Sequence, residues 1–211
     1  MKIITPSARV LDEIDSEEIM CRLERAGRVC YKSEGKAAQG TAGKFVASLI
    51  SRGHESVIEH EKLSVLLICD RGVSHEIVRH RIASYSQEST RYCNYAKEGF
   101  GAELCFIKPC FLSEGDAVYR LWEDAMQASE RSYFSMIDSG ATPEQARSVL
   151  PSSLKTELVA TMNMRAWRHF LKLRTDAASH PQMRELARLI LSEFRQRLPV
   201  LFGDISSDME H

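Results

Sequence analysis

From residue 118 to residue 136 apolar side chains recur at helical spacing: Val118, Leu121, Trp122, Ala125, Tyr133 and Met136, with Ser129 in the same series. A stripe of that length predicts one long amphipathic helix, which is stable only when another layer covers it. Gly140 stops it. Strands are expected over 1–9, 63–69 and 154–162, and helices over 17–26, around Phe45, Val46, Leu49 and Ile50 up to Gly53, and over 73–81 after an Asp70-Arg71-Gly72 turn. Thr142-Pro143-Glu144-Gln145 opens another helix as a capping box that ends near Leu150-Pro151. Asn163 caps a helix over 165–173, and Pro181 opens a last one that buries Leu186, Leu189, Ile190 and Phe194. Residues 33–43 are rich in Gly and Ala and read as a loop, and 54–60 is an irregular polar stretch. With no internal repeat and no linker, 1–211 is expected to form a single α+β domain with a central, mostly antiparallel sheet packed with long helices.

Composition narrows the function. The net charge is −1, whereas a dedicated nucleic-acid binder usually carries a basic excess. None of the six cysteines forms a C-x-x-C pair, so neither a zinc ribbon nor a redox dithiol is indicated. The N-terminal stretch carries charge where a secretory leader needs an apolar run, and the longest apolar run, 65–69, is too short to cross a bilayer. A cytoplasmic protein with reduced thiols, no membrane association and no bound metal is expected.

Arg79-His80-Arg81 is the sharpest local feature. Adjacent cations repel one another; they are tolerable at a solvated helix end and useful where phosphates must be gripped. The following run, Ser84, Tyr85, Ser86, Gln87, Glu88, Ser89, Thr90, Arg91 and Tyr92, is dense in hydrogen-bonding groups. Residues 82–95 show no clean period of a strand or helix, which suggests a functional loop. Such a stretch suits a nucleotide: arginines for phosphate, hydroxyls and amides for sugar and base.

Arg79-His80-Arg81 followed by seven residues and Ser89 resembles the R-H-R-x7-S signature of flavin-dependent thymidylate synthases. Ser84, Arg91 and Tyr92 fit its fuller form, and Ser86 departs from it where that family more often has Asn. Gly53-His54-Glu55-Ser56 with Glu59-His60 is similar to a G-H-E-[ST]-x-x-E-H segment of the family. Ala146-Arg147 with Leu150-Pro151, Asn163-Met164-Arg165, and Leu173-Arg174 with Asp176 resemble further segments in the family's order.

The resemblance implies FAD-dependent methylation of dUMP to dTMP, with methylenetetrahydrofolate as carbon donor and NADPH as reductant, in a homotetramer whose active sites are shared between chains. Arg174 is the expected catalytic residue, favouring the electron-rich uracil without any enzyme nucleophile. The dUMP contacts it implies are Glu76, Ile77, Val78 and Arg79, then Gln87, Glu88, Ser89, Thr90 and Arg91, with Arg147 and Arg174. The FAD contacts it implies are His54, Ser56, Arg79, His80, Arg81 and Gln87, with Asn163, Met164, Arg165 and His169. Glu76 and His169 stand where family members often have Gln and Asn.

Three rival readings follow from the residues. A zinc hydrolase would use His54, Glu55, Glu59, His60 and His75, but His54 and His60 do not share a helix face. A nucleic-acid-binding module would stack bases on Tyr85, Tyr92 and Tyr95 of the arginine-rich loop. A cysteine-based synthase would attack C6 of uracil with Cys93.

Overall fold

The computed structural model describes residues 1–97 and 101–206. Its strands are β1 Lys2–Ile4, β2 Ser7–Val10, β3 Lys62–Asp70, β4 Ser84–Gln87, β5 Cys105–Ile107 and β6 Lys155–Asn163. Its helices are α1 Ser16–Val29, α2 Ala42–Ser51, α3 Arg71–Ile77, α4 Ala117–Asp138, α5 Pro143–Ala146, α6 Met164–Arg174, α7 Pro181–Arg197 and α8 Pro199–Phe202. Four strands form a sheet in the order β2-β3-β6-β4, and β1 pairs in parallel with β5, Ile3 opposite Phe106. The class is α+β with a mostly antiparallel sheet, as expected.

The chain forms two compact units. The first comprises Met1–Ser7, Leu67–Arg79 and Ser86–Val159; the second comprises Ala8–Leu66, His80–Tyr85 and Ala160–His211. Strands β3, β4 and β6 each contribute residues to both. The first unit's core gathers Tyr95, Leu104, Phe106, Met126, Tyr133, Ala146 and Leu154. The second is built on an aromatic chain, Phe170 to Trp167 to Phe194 to Phe202, with ring centroids 5.4, 5.4 and 4.8 Å apart. Trp167 also donates its indole N–H to the Leu63 carbonyl at 3.0 Å, which ties α6 to β3. Arg168, buried beside it, donates to Asp204 at 2.6 and 2.7 Å, to Glu55 and to the Leu201 carbonyl.

The main strands follow the two-residue alternation. On β3 Leu63, Val65, Leu67 and Cys69 point inward, and on β6 Thr156, Leu158, Ala160 and Met162 do the same. Capping agrees with expectation where its chemistry is strongest. Thr142 and Gln145 complete a capping box on α5, and Asn163 accepts from the Ala166 N–H at 2.8 Å to open α6.

Four expectations are corrected. The strand over 1–9 is two strands, because Pro6 lies between them and cannot donate to a ladder. Asp70-Arg71-Gly72 is no turn: Asp70 accepts from the Val73 N–H at 2.8 Å and caps α3, which ends at Ile77, so Arg79-His80-Arg81 lies beyond it. The stretch 82–95 is not wholly loop, since β4 forms in it at the sheet's edge, and its small polar side chains concealed the alternation. On α4 the buried face holds Tyr119, Met126, Ser129 and Tyr133, while Val118 and Leu121 are 61% and 70% exposed, so the stripe is rotated from the expected one. Leu189 on α7 is likewise exposed. Strand β5 and helix α8 are short elements that the periodicity did not reveal.

Candidate functional site

The expected site residues divide between the two units. All of the dUMP set except Arg174 falls in the first unit; all of the FAD set except Arg79 and Gln87 falls in the second.

In the first unit Glu76 sits half-buried on α3, and Ile77 is completely buried. The expectation that the Ile77 side chain meets dUMP is therefore corrected: only its backbone could. Val78 and Arg79 are exposed just past the helix, and Arg79 forms no ion pair among the described residues. At the end of β4 the Gln87 amide donates to Ser74 Oγ at 3.0 Å and to Thr156 Oγ1 at 3.1 Å, so the sheet side of the strand consumes its donors.

Glu88 is engaged within the unit. Its carboxylate accepts from the Tyr95 hydroxyl at 2.6 Å, from Lys155 Nζ at 3.1 Å and from the Glu157 N–H at 3.2 Å. Its own N–H donates to the Glu157 carbonyl at 2.8 Å. Burial, and then the bond to Glu88, push the Tyr95 phenol well above its ordinary range. Burial would lower Lys155, but its bonds to Glu157 and Glu88 outweigh that and raise it.

Ser89 turns the chain. Its carbonyl accepts from the N–H groups of Tyr92 and Cys93, and its Oγ from the Arg91 N–H at 3.3 Å. Thr90 is buried. Arg91 pairs with Glu144 at 2.9 Å, both about half exposed, a pair weak enough for a phosphate to replace. Arg147 is exposed at the start of a short 3-10 turn, Arg147–Val149. Burial, and then the charge of Glu88, raise the Cys93 thiol, which keeps it protonated and makes it a poor nucleophile.

The second unit carries the FAD set. Asn163 spends its Oδ1 on the α6 cap, which leaves its amide NH2 to meet a ligand. Met164 is completely buried, so the expected contact through its side chain is corrected. Arg165 on the first turn of α6 donates to Glu59 at 2.6 Å. His54 Nδ1 lies 2.9 Å from the Tyr31 hydroxyl, and Ser56 and His169 are exposed. Arg81 is exposed and forms no ion pair among the described residues.

A cleft of about 600 Å³ opens in this unit, with Arg22, Glu59, Ile82, Ser84, Thr161 and Asn163 in its walls. That volume is in the range of small-molecule sites. Among its walls only Asn163 had been expected. Ile82, 76% exposed, was detectable as a lone apolar residue inside a polar run. Arg22 reaches it from α1, locked onto Glu61 at 2.5 and 3.0 Å, and nothing in the sequence pairs those two.

His80 and Arg174 meet within the second unit. Arg174 Nε donates to His80 Nε2 at 3.0 Å, and the imidazole packs edge-on against Phe170 at 4.7 Å. Burial first, then the charges of Arg174 and His169, hold His80 down to about 4. The ring is thus neutral near pH 7, with Nε2 as its acceptor. The Asp176 carboxylate accepts from the Ala178 N–H at 2.8 Å.

Residues 9–200 match the family described as "Thymidylate synthase complementing protein". The chain is 35% identical to a flavin-dependent thymidylate synthase of Geobacter sulfurreducens over 85% of its own length and 78% of that protein's. It is 31% identical to the flavin-dependent thymidylate synthase of Corynebacterium aurimucosum over 91% and 83%. Among solved structures it is similar to a UMP/dUMP methylase from Streptomyces cacaoi bound with 5-Br dUMP, at 27% identity, a TM-score of 0.78 and 96% coverage of both chains.

Proposed function

The chain belongs to the flavin-dependent thymidylate synthase family, and from that premise we propose that residues 1–211 act as one catalytic domain that methylates dUMP to dTMP. In this reading methylenetetrahydrofolate gives the carbon, NADPH is the reductant, and the enzyme works in the cytoplasm as a homotetramer with shared active sites. Among the described residues no helix is long and apolar enough to cross a membrane.

FAD is the implied cofactor, and the second unit's residues suit it. Arg81, next to the cleft residue Ile82 in sequence, is a cation for phosphates, and the cleft has amide and hydroxyl groups at Asn163 and Ser84 and the exposed Ile82 as an apolar wall. His54, Ser56, His80, Arg81, Asn163, Arg165 and His169 would hold it, and Arg79 and Gln87 complete the proposed FAD set. When bound, the flavin supplies the hydride of the reductive step.

The protein's own residues bind and orient. Arg91 and Arg147 would take the dUMP phosphate or ribose, exchanging Glu144 for a stronger anion in the case of Arg91. Ser89 would offer its hydroxyl as a binding group. Glu76, Ile77, Val78, Gln87 and Thr90 would add contacts, largely through the backbone. Arg174 would place its charge at the uracil, where negative charge develops as C5 becomes nucleophilic.

The observation that supports this most directly is the Arg174–His80 hydrogen bond. It holds the guanidinium by its Nε edge to an imidazole that is neutral near pH 7, which orients the cation. Release of tritium from dUMP labelled at C5, with NADPH and methylenetetrahydrofolate and with or without FAD, tests the reading. FAD-dependent release is expected. A folded, FAD-loaded protein that releases none would overturn it.

A further inference from the structure

Glu88, which the signature segment places beside Ser89 and Arg91, does something other than contact substrate. Its side chain is 12% exposed, and both carboxylate oxygens and the backbone N–H are hydrogen-bonded inside the first unit. The bond to Tyr95 closes the chain from 88 to 95 into a loop, and the bonds to Lys155 and to the Glu157 backbone fasten that loop to β6. Tyr95 is itself wedged in the unit's core, 8% exposed, its ring 5.9 Å from Tyr133 of α4. Ser89, Thr90 and Arg91 all lie within the closed loop.

A free carboxylate at this place would be unfavourable. It would repel an incoming phosphate from one residue away. Bonded to Lys155, which remains charged, its charge is partly offset, and its hydrogen bonds are charge-assisted and hence strong. Lys155 also donates to Glu157 at 2.5 Å, so one ammonium serves two carboxylates on the same face of the loop.

We propose that the Tyr95–Glu88–Lys155 cluster is a positioning device. It holds the Ser89-Thr90-Arg91 segment in the shape that receives the nucleotide, and Glu88 is a positioning residue rather than a ligand of dUMP. This rests on the synthase reading above. The device predicts a selective defect. Loosening it lowers affinity for dUMP, whose proposed contacts lie in the loop, and leaves FAD retention alone, because the proposed FAD contacts lie almost wholly in the other unit.

The experiment compares wild-type protein with Tyr95→Phe and Glu88→Gln. Tyr95→Phe removes one hydroxyl and keeps the ring in the core; Glu88→Gln keeps an acceptor for Tyr95 but sets an amide beside the donors of Lys155 and Glu157. dUMP binding is measured by titration calorimetry, FAD content by absorbance, and KM and kcat by tritium release. The expected result is roughly a tenfold rise in Kd and KM for dUMP in each variant, the scale of one charge-assisted hydrogen bond. FAD content, melting midpoint and kcat should stay near wild type. Unchanged dUMP affinity in both variants would overturn the device, and so would equal losses of dUMP and FAD, which would mean general loosening. A wild-type protein that neither binds nor turns over dUMP would overturn the synthase reading, and the device's role with it.

Discussion

The two units hold their expected site residues by different means. In the second, Asn163, Arg165, His169 and Arg174 ride on α6, a helix capped at one end and pinned by Trp167 to β3 and by Arg168 to Asp204. In the first, Ser89 and Arg91 ride on a turn with no element of their own, held by a few backbone hydrogen bonds and by the side-chain bonds of Glu88. A helix packed on aromatic rings is rigid through burial. A turn tied by a few polar bonds is rigid only while each bond lasts. In the proposed assignment the looser attachment belongs to the residues that would meet the exchanging substrate.

The largest expected effect tests the one substrate-set residue that belongs to the helix-borne unit. Arg174→Ala should lower turnover by roughly a hundredfold or more, the scale of removing a group that stabilises developing charge. Melting midpoint and FAD content should change little, because Arg174 is only half-buried at the end of α6. Near-normal tritium release from a folded variant would remove Arg174 from the chemistry.

Arg168→Met tests the rigid side of the comparison. Its guanidinium is 1% exposed and bonds Asp204 and Glu55, so losing it should cost about 3 kcal/mol in denaturant unfolding. A cost below about 1 kcal/mol would mean that the aromatic chain alone fixes α6. A smaller, crosswise effect tests the division itself. Arg81→Ala should weaken FAD retention more than dUMP binding, and Arg91→Ala the reverse, each by roughly tenfold. The opposite order in paired titrations would mean that the two ligands have been assigned to the wrong units.

The candidate site stands out in the sequence because its residues are chemically conspicuous and lie in compact motifs: Arg79-His80-Arg81, Ser89, Arg91, Asn163-Met164-Arg165 and Arg174. The caps at Thr142 and Asn163 were legible because capping is a local hydrogen bond between residues three apart. What escaped was long-range. Nothing near Glu88 in sequence announces that Lys155 and Glu157 will bind it, 67 and 69 residues away. Nothing near Arg22 announces Glu61. Ile77 and Met164 were expected as contacts from their place in a motif, whereas burial sends both side chains into the core. A motif fixes which backbone approaches a ligand; it does not fix which way each side chain points. The face of α4 was misjudged in part: Ser129 and Tyr133 are buried as expected, whereas Tyr119 and Met126 take buried places in the stead of Val118 and Leu121.

The smallest effect is a pH dependence carried by His80. The groups facing it are Arg174, His169 and the ring of Phe170. In the unfolded chain its imidazole takes a proton near 6.5, whereas in the folded protein it resists until about 4. Between those values the unfolded state binds a proton that the folded state refuses, so stability rises with pH across the window. The contribution is fully present above about 6.5 and is lost as pH falls toward about 4. Protonation there also removes the acceptor that Arg174 uses, so turnover should decline in the lower part of the same window. In His80→Asn, which keeps an acceptor but cannot titrate, the melting midpoint should fall less steeply with acid than in wild type. Equal slopes would show that a neutral imidazole does not anchor Arg174, and the helix-borne unit would then have to orient its cation through packing alone.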